Sequence, residues 1–138
     1  MKDKTQSSHH YKVKAYHADT DTYGVVWHGA YLRWLEAGRI EVLEMMGIKF
    51  PELEGLDIMM PVVELNIRYK RFARAYDELS ITTRIEGVGK AHLTFNQEIK
   101  NINTGELVLT ATVKGVTTSR EGKLFRVLPE YIRKNLDK

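Results

Sequence analysis

The chain has 138 residues, 43% of them hydrophobic and 28% charged, with no cysteine and a formal net charge of +3 at pH 7. That length reads as one domain spanning 1–138, long enough to bury a core without staples. The lack of cysteine excludes disulfides, thiolate nucleophiles and Cys-based zinc sites, and it suits a cytoplasmic location. A sequence pI near 9.1 on so small a charge excess is no nucleic-acid footprint, and no nucleic-acid partner is expected. No apolar run reaches spanning length, so no membrane insertion is expected either.

Residues 1–8 read as a frayed tail. Residues 10–16 alternate, with Tyr11, Val13 and Ala15 on one side and Lys12 and Lys14 on the other, as in a half-buried strand. A polar turn follows, Asp19-Thr-Asp21-Thr-Tyr-Gly24, leading through Val25-Val26-Trp27 to His28. From about 30 to 46 the period becomes helical. Tyr31, Trp34, Leu35, Gly38, Val42, Met45 and Met46 gather on one face, with Arg33, Glu36, Glu41 and Glu44 opposite. Ile40 sits among the charges and marks a candidate subunit contact. Gly38 costs the helix about 1 kcal/mol, which suggests close approach of another backbone. Gly47 is the expected stop, with Pro51 preventing continuation.

After a loop at 49–57, four alternating segments read as a meander of antiparallel strands at 60–70, 79–86, 91–100 and 106–118. They are joined by turns at Gly87-Val88-Gly89-Lys90 and Asn101-Ile102-Asn103-Thr104-Gly105. Pro129 opens a short C-terminal helix ending near Leu136. The expected class is α+β, an antiparallel five-stranded sheet against one long helix. One helix cannot cover such a sheet, so a homo-oligomer is expected, a dimer or tetramer.

Asp19-x-Asp21-x-x-Gly24 imitates the start of an EF-hand loop. Position twelve, where a bidentate glutamate belongs, would be Ala30, and a strand precedes the loop where a helix is required. Calcium is rejected. No serine lies in a nucleophile elbow. His17, Asp19, Asp21 and His28 lack the helical spacing of a metal site, so no metal is expected. Asp21 is left as the chemical candidate beside an ordinary turn role, the role assigned outright to Asp19. The chain from Gly24 to His28 runs to a helix N-terminus, whose unpaired N–H groups and dipole suit a polarised carbonyl. His28 can polarise through its backbone N–H, aided by Gly29, or position water with its imidazole; its ordinary reading is a helix-start residue bonded to backbone.

Asp21-Thr-Tyr-Gly24-Val-Val26-Trp-His28-Gly-Ala-Tyr31, followed by Trp34-Leu35-Glu36-Ala37-Gly38-Arg39, resembles the signature of the 4-hydroxybenzoyl-CoA thioesterase family, and most closely its Tol–Pal-associated acyl-CoA thioesterase branch. The resemblance implies a hot-dog fold, with the sheet wrapped around the long helix, and assembly from dimers. It implies hydrolysis of acyl- or aroyl-CoA thioesters, with coenzyme A as part of the substrate and no separate cofactor. Asp21 takes the place of the catalytic aspartate and His28 that of the backbone donor, while Gly24 and Tyr31 shape the site. Of the basic cluster that meets the nucleotide in some members, Lys90 alone stands in the corresponding turn; Arg120, Lys123 and Arg126 are further cationic candidates. The alternatives are a non-catalytic acyl-CoA-binding protein and a hot-dog hydratase or dehydratase, for which Glu36 is the nearest helix acid but falls on the outward face.

Overall fold

A computed structural model describes residues 8–137. The tail expected over 1–8 therefore lies outside the described residues except for Ser8, which opens the first strand. Among the described residues the order is β1 (Ser8–Lys14), a 3₁₀ turn (His17–Asp19), α1 (His28–Met45), α2 (Phe50–Gly55), β2 (Val62–Tyr69), β3 (Glu78–Val88), β4 (His92–Asn101), β5 (Leu107–Val116) and α3 (Glu130–Leu136). The strands form one sheet in the order β1-β3-β4-β5-β2, antiparallel throughout. The expected α+β architecture is present with one correction. Only β3, β4 and β5 meander; β2 pairs with β5 at the far edge, and residues 70–77 carry the chain across to β3. Alternation assigns residues to strands but does not assign neighbours to strands.

The helix α1 packs mainly on β3 and β1, burying Ala30, Tyr31, Trp34, Leu35, Gly38, Val42 and Leu43. It starts at His28, two residues before the expected boundary. Met45, expected on the buried face, is half exposed, and Leu43 is buried instead. The reason is the stretch expected to be a loop. There α2 forms, with Pro51 in its first turn, and Ile48, Leu53 and Ile58 fold back against the Leu43 side. Proline thus starts a second helix here, after the first has already ended at Met45.

Gly47 ends α1 as expected, at φ +93°. Its N–H donates to Glu44 O (2.9 Å) and that of Ile48 to Leu43 O (2.9 Å), the paired bonds of a Schellman motif. Gly38 faces side chains rather than another backbone. A Cβ there would collide with Thr83 Oγ1 and lie 3.2 Å from Gln97 Nε2 and from Ile81 Cγ2. Gln97, wholly buried, donates from Nε2 to Leu35 O (2.8 Å) and to Thr83 Oγ1 (2.8 Å), so helix and sheet share a polar tie through the core.

The register gives the sheet two distinct ends. Lys14 lies opposite Glu78, Leu79 opposite Asn101 and Tyr69 opposite Leu109. Val88 opposite Leu93, His92 opposite Val116 and Val62 opposite Gly115 mark the other end. Eleven residues of β3 separate them by roughly 35 Å.

Candidate active site

The turn after β1 sits at the first of these ends. Asp21 N–H donates to Val25 O (2.9 Å) and Gly24 N–H to Asp21 O (3.0 Å). Gly24 takes φ +80°, a conformation that few side chains tolerate. Val26 N–H then donates to Ala73 O (2.8 Å) and Trp27 N–H to Asp19 O (3.0 Å), which fixes the turn against the 70–77 crossing and delivers the chain to α1.

The two aspartates have separate environments. Asp19 is buried and fully occupied: Oδ2 accepts the Tyr16 N–H (2.9 Å) and Oδ1 the Arg33 guanidinium (2.8 Å). It ties the 3₁₀ turn to α1. Asp21 is exposed, and its Oδ1 accepts the Tyr23 N–H (2.8 Å). One oxygen therefore does an ordinary turn's work. Among the described residues its Oδ2 has no hydrogen-bond partner. Asp21 lines an open surface depression with His17, Thr20, Gly24 and Ala75.

The N-terminus of α1 has no side-chain cap. Its N-cap is Trp27, and no acid lies in the first turn, where Ser, Thr, Asp or Asn is the usual choice. The Trp27 indole lies across Gly29, where any Cβ would collide with it, and meets the exposed His28 ring edge-on at 5.4 Å. Tyr31, one turn along, is buried and accepts the Ala73 N–H at its hydroxyl (3.1 Å). Burial pushes its pKa up, with Tyr69, Asp77 and Asp21 adding to the rise and the Ala73 bond opposing it. The Tyr31 ring also packs on Trp34 and Tyr69, at 5.9 and 5.8 Å.

Gly24, Asp21, His28, Gly29 and Tyr31 therefore share one end of the molecule. Lys90 does not. It lies in the turn between β3 and β4 at the opposite end, where its carbonyl accepts the Leu128 N–H (2.9 Å). That bond brings it to the segment carrying Arg120, Lys123 and Arg126. The turn itself is tighter than expected, because β3 continues to Val88 through a bulge at Ile85/Gly87. A groove also opens towards this end, walled by α1, α2 and the start of β2.

Sequence reasoning missed the 73–77 segment, which holds both Val26 and Tyr31; its alanines and lack of period give no signal. Among the described residues no three His, Cys, Asp or Glu side chains cluster closely enough to hold a metal. No helix among them is long and apolar enough to cross a membrane.

Comparison with known proteins agrees with this fold. The model of the Thioesterase-like superfamily matches residues 16–136. A candidate esterase of Synechocystis sp., sll0410, is 36% identical over 126 residues, covering 91% of this chain and 75% of that one. The acyl-CoA thioester hydrolase YbgC of Escherichia coli O6:H1 is 33% identical over 89 residues, covering 64% and 66%. The crystal structure of a DHNA-CoA thioesterase from Staphylococcus aureus superposes with a TM-score of 0.85 at 25% identity, covering 94% and 89%. Fold and relatives define a hot-dog enzyme of the thioester hydrolase class. The chain belongs to the Thioesterase-like superfamily, and the resemblance read from residues 21–39 extends over most of its length.

Proposed function

We propose that this chain hydrolyses acyl- or aroyl-CoA thioesters to the free acid and coenzyme A, with Asp21 as nucleophile or general base. The observation that carries this reading is the division of labour between the two aspartates. Asp19 is consumed by structure, whereas Asp21 keeps one oxygen unengaged at the same end of the sheet as an uncapped helix start. The thioester carbonyl accepts N–H groups from the turn and first helical residues, His28 and Gly29, and the positive end of α1 stabilises the oxyanion as it forms. Asp21 either attacks the carbonyl carbon or takes a proton from the attacking water. In the first route the C–S bond breaks to leave a mixed anhydride on Asp21, which water then hydrolyses to the free acid and the regenerated carboxylate; in the second, water adds directly; in both, the thiolate of coenzyme A leaves and gains a proton. The reaction uses no metal and no cofactor beyond the substrate's own coenzyme A.

The working unit is a homodimer paired through β2, alone or within a tetramer. What supports it is the state of that strand. Leu65 and Tyr69, on one face, are 44% and 49% exposed, and Val63, at the bulge, is 56% exposed, because α1 sits over β3 and β1. The strand also presents a free edge. A two-fold axis makes β2 pair with its copy antiparallel, so the start of one β2 meets the end of the other. The groove, Lys90 and the Arg120–Arg126 region of one protomer then face the Asp21 end of its partner.

The test is thiol release from a panel of acyl- and aroyl-CoA esters by wild type and Asp21→Asn, with and without EDTA. The expected result is turnover that EDTA leaves intact and the substitution abolishes. Release no faster than that of Asp21→Asn for every ester would overturn the reading.

A further inference from the structure

Among the described residues the N–H groups of His28 and Gly29 have no acceptor, because α1 begins without a side-chain cap. Such groups normally meet the oxygen of a Ser, Thr, Asp or Asn at the N-cap. Here the N-cap residue is Trp27, whose indole accepts nothing. Its backbone is tied on both sides, the N–H to Asp19 O (3.0 Å) and the carbonyl to the Ala30 N–H (3.0 Å). Its ring folds back along the first turn, where a Cβ at residue 29 would overlap Cη2, Cζ3 and Cζ2 of the indole. The His28 imidazole meets the indole edge-on at 5.4 Å and holds it from a second side. Gly29 is helical and has no positive φ, so no backbone conformation calls for glycine there, and glycine weakens a helix relative to alanine. What requires the bare Cα is the indole.

We infer that the Trp27 indole is the wall that keeps water from the carbonyl site at the start of α1, and that residue 29 is glycine so that the ring can lie there. The inference rests on the thioesterase reading and adds a positioning residue to it. The thioester oxygen gains negative charge as its carbon becomes tetrahedral, and N–H donors stabilise that charge far better in a water-poor site than in open solvent. The turn gives little shelter by itself, since Asp21, Gly24 and His28 are all exposed. An indole lying along the first turn removes water from one flank of the His28 and Gly29 N–H groups. It also brings no acceptor to compete for them, whereas a Ser, Thr, Asp or Asn in its place would occupy a donor itself. The missing cap and the indole therefore belong to one arrangement, in which the donors are left free for a substrate and sheltered from solvent.

The experiment measures kcat and KM by thiol release, on the fastest ester of the acyl- and aroyl-CoA panel, for wild type, Trp27→Ala, Trp27→Phe, Gly29→Ala and the double variant Trp27→Ala/Gly29→Ala. Alanine at 29 keeps the N–H donor, favours the helix and displaces only the far end of a half-exposed side chain; melting curves check that each variant folds. The expected result is a fall in kcat of about tenfold in Trp27→Ala and in Gly29→Ala, with KM within about threefold, because the loss falls on charge that only the transition state carries. Trp27→Phe keeps a six-membered ring and recovers most of the rate. The double variant is as slow as either single one, since both substitutions remove the same contact. Losses that multiply to about a hundredfold, an effect confined to KM, or wild-type kcat in Trp27→Ala overturns the inference and leaves thioester hydrolysis standing. Should wild type cleave no ester, the thioesterase reading falls by itself. Acrylamide quenching of Trp27 fluorescence then decides the wall, with the buried Trp34 subtracted as the signal of Trp27→Ala. The probe is S-acetonyl-coenzyme A, which keeps a carbonyl and has no hydrolysable thioester. Quenching that falls when the probe binds supports a ring beside the carbonyl site, and quenching that the bound probe leaves unchanged overturns it.

Discussion

At the scale of single residues, Asp19 and Asp21 invite a paired test because one sequence pattern gave them opposite fates. Asp21→Asn keeps the turn bond to Tyr23 and removes the charge, so the expected outcome is an unchanged melting temperature and a fall in kcat of roughly a hundredfold or more. Asp19→Ala strands the Tyr16 N–H and the Arg33 guanidinium, and denaturant unfolding should show a loss of about 1–3 kcal/mol. A swap of these phenotypes would place the chemistry on the wrong aspartate. Tyr31 offers a pH prediction. Its pKa is raised in the folded state, so folding favours the protonated phenol. The stability this supplies is complete below the unfolded value of about 10 and is lost as pH rises above it towards the folded value. Tyr31→Phe should flatten that alkaline loss at pH 10–11 while lowering stability at pH 7, since the buried Ala73 N–H loses its acceptor. Equal slopes in the two proteins would show that Tyr31 contributes nothing to the alkaline transition.

At the scale of elements, the long helix and the strands were legible because their periods run for seven residues or more, and period is what packing against a core imposes. Of the two short helices, α3 was legible from Pro129 and α2 was not. The six residues of α2 are too few to show a period, and Pro51 was read as a barrier when it occupies the first turn of a new helix. Gly87 read as turn and proved to be a strand residue beside a bulge, the other standard use of a strand glycine. Gly38 was correctly singled out by its cost, although what approaches it is the Thr83–Gln97 pair rather than a backbone. That distinction makes a prediction. Gly38→Ala should gain about 1 kcal/mol of helix propensity yet lose more by displacing Thr83 from Gln97, for a net loss of roughly 1–3 kcal/mol. A calorimetric melting temperature above that of wild type would mean that α1 can lift from the sheet at little cost. The placing of Asp21, Gly24 and His28 at one end of the molecule was legible because they lie within one continuous stretch. The groove was not, since Glu36 and Arg39 acquire a common wall with Phe50 and Phe95 only when distant segments fold together.

At the scale of the whole molecule, one protomer separates the parts that hydrolysis needs. Asp21 and the helix start lie at one end of the sheet and Lys90 at the other, while the groove starts at Glu36, about 12 Å along α1 from His28. Under the proposed antiparallel pairing of β2, the groove of each protomer would face its partner's Asp21 end. Leu65→Lys, on the exposed face of β2, should give a folded monomer by sedimentation with little or no thioesterase activity, since a buried unpaired charge at a symmetric interface appears twice. A complementation experiment goes further. Asp21→Asn destroys the acid, and Gly115→Phe fills the groove from its sheet floor, where a Cβ meets nothing nearer than Met60 Cγ at 3.5 Å. Each homodimer alone should be inactive. In a mixed dimer, one of the two sites combines an intact Asp21 with the partner's open groove, while the other carries both defects. Random reassociation of equal amounts makes half the dimers mixed and therefore restores about a quarter of wild-type activity. If acid and groove served the same site within one chain, every site in every mixed dimer would carry one defect, and the mixture would stay as inactive as its components.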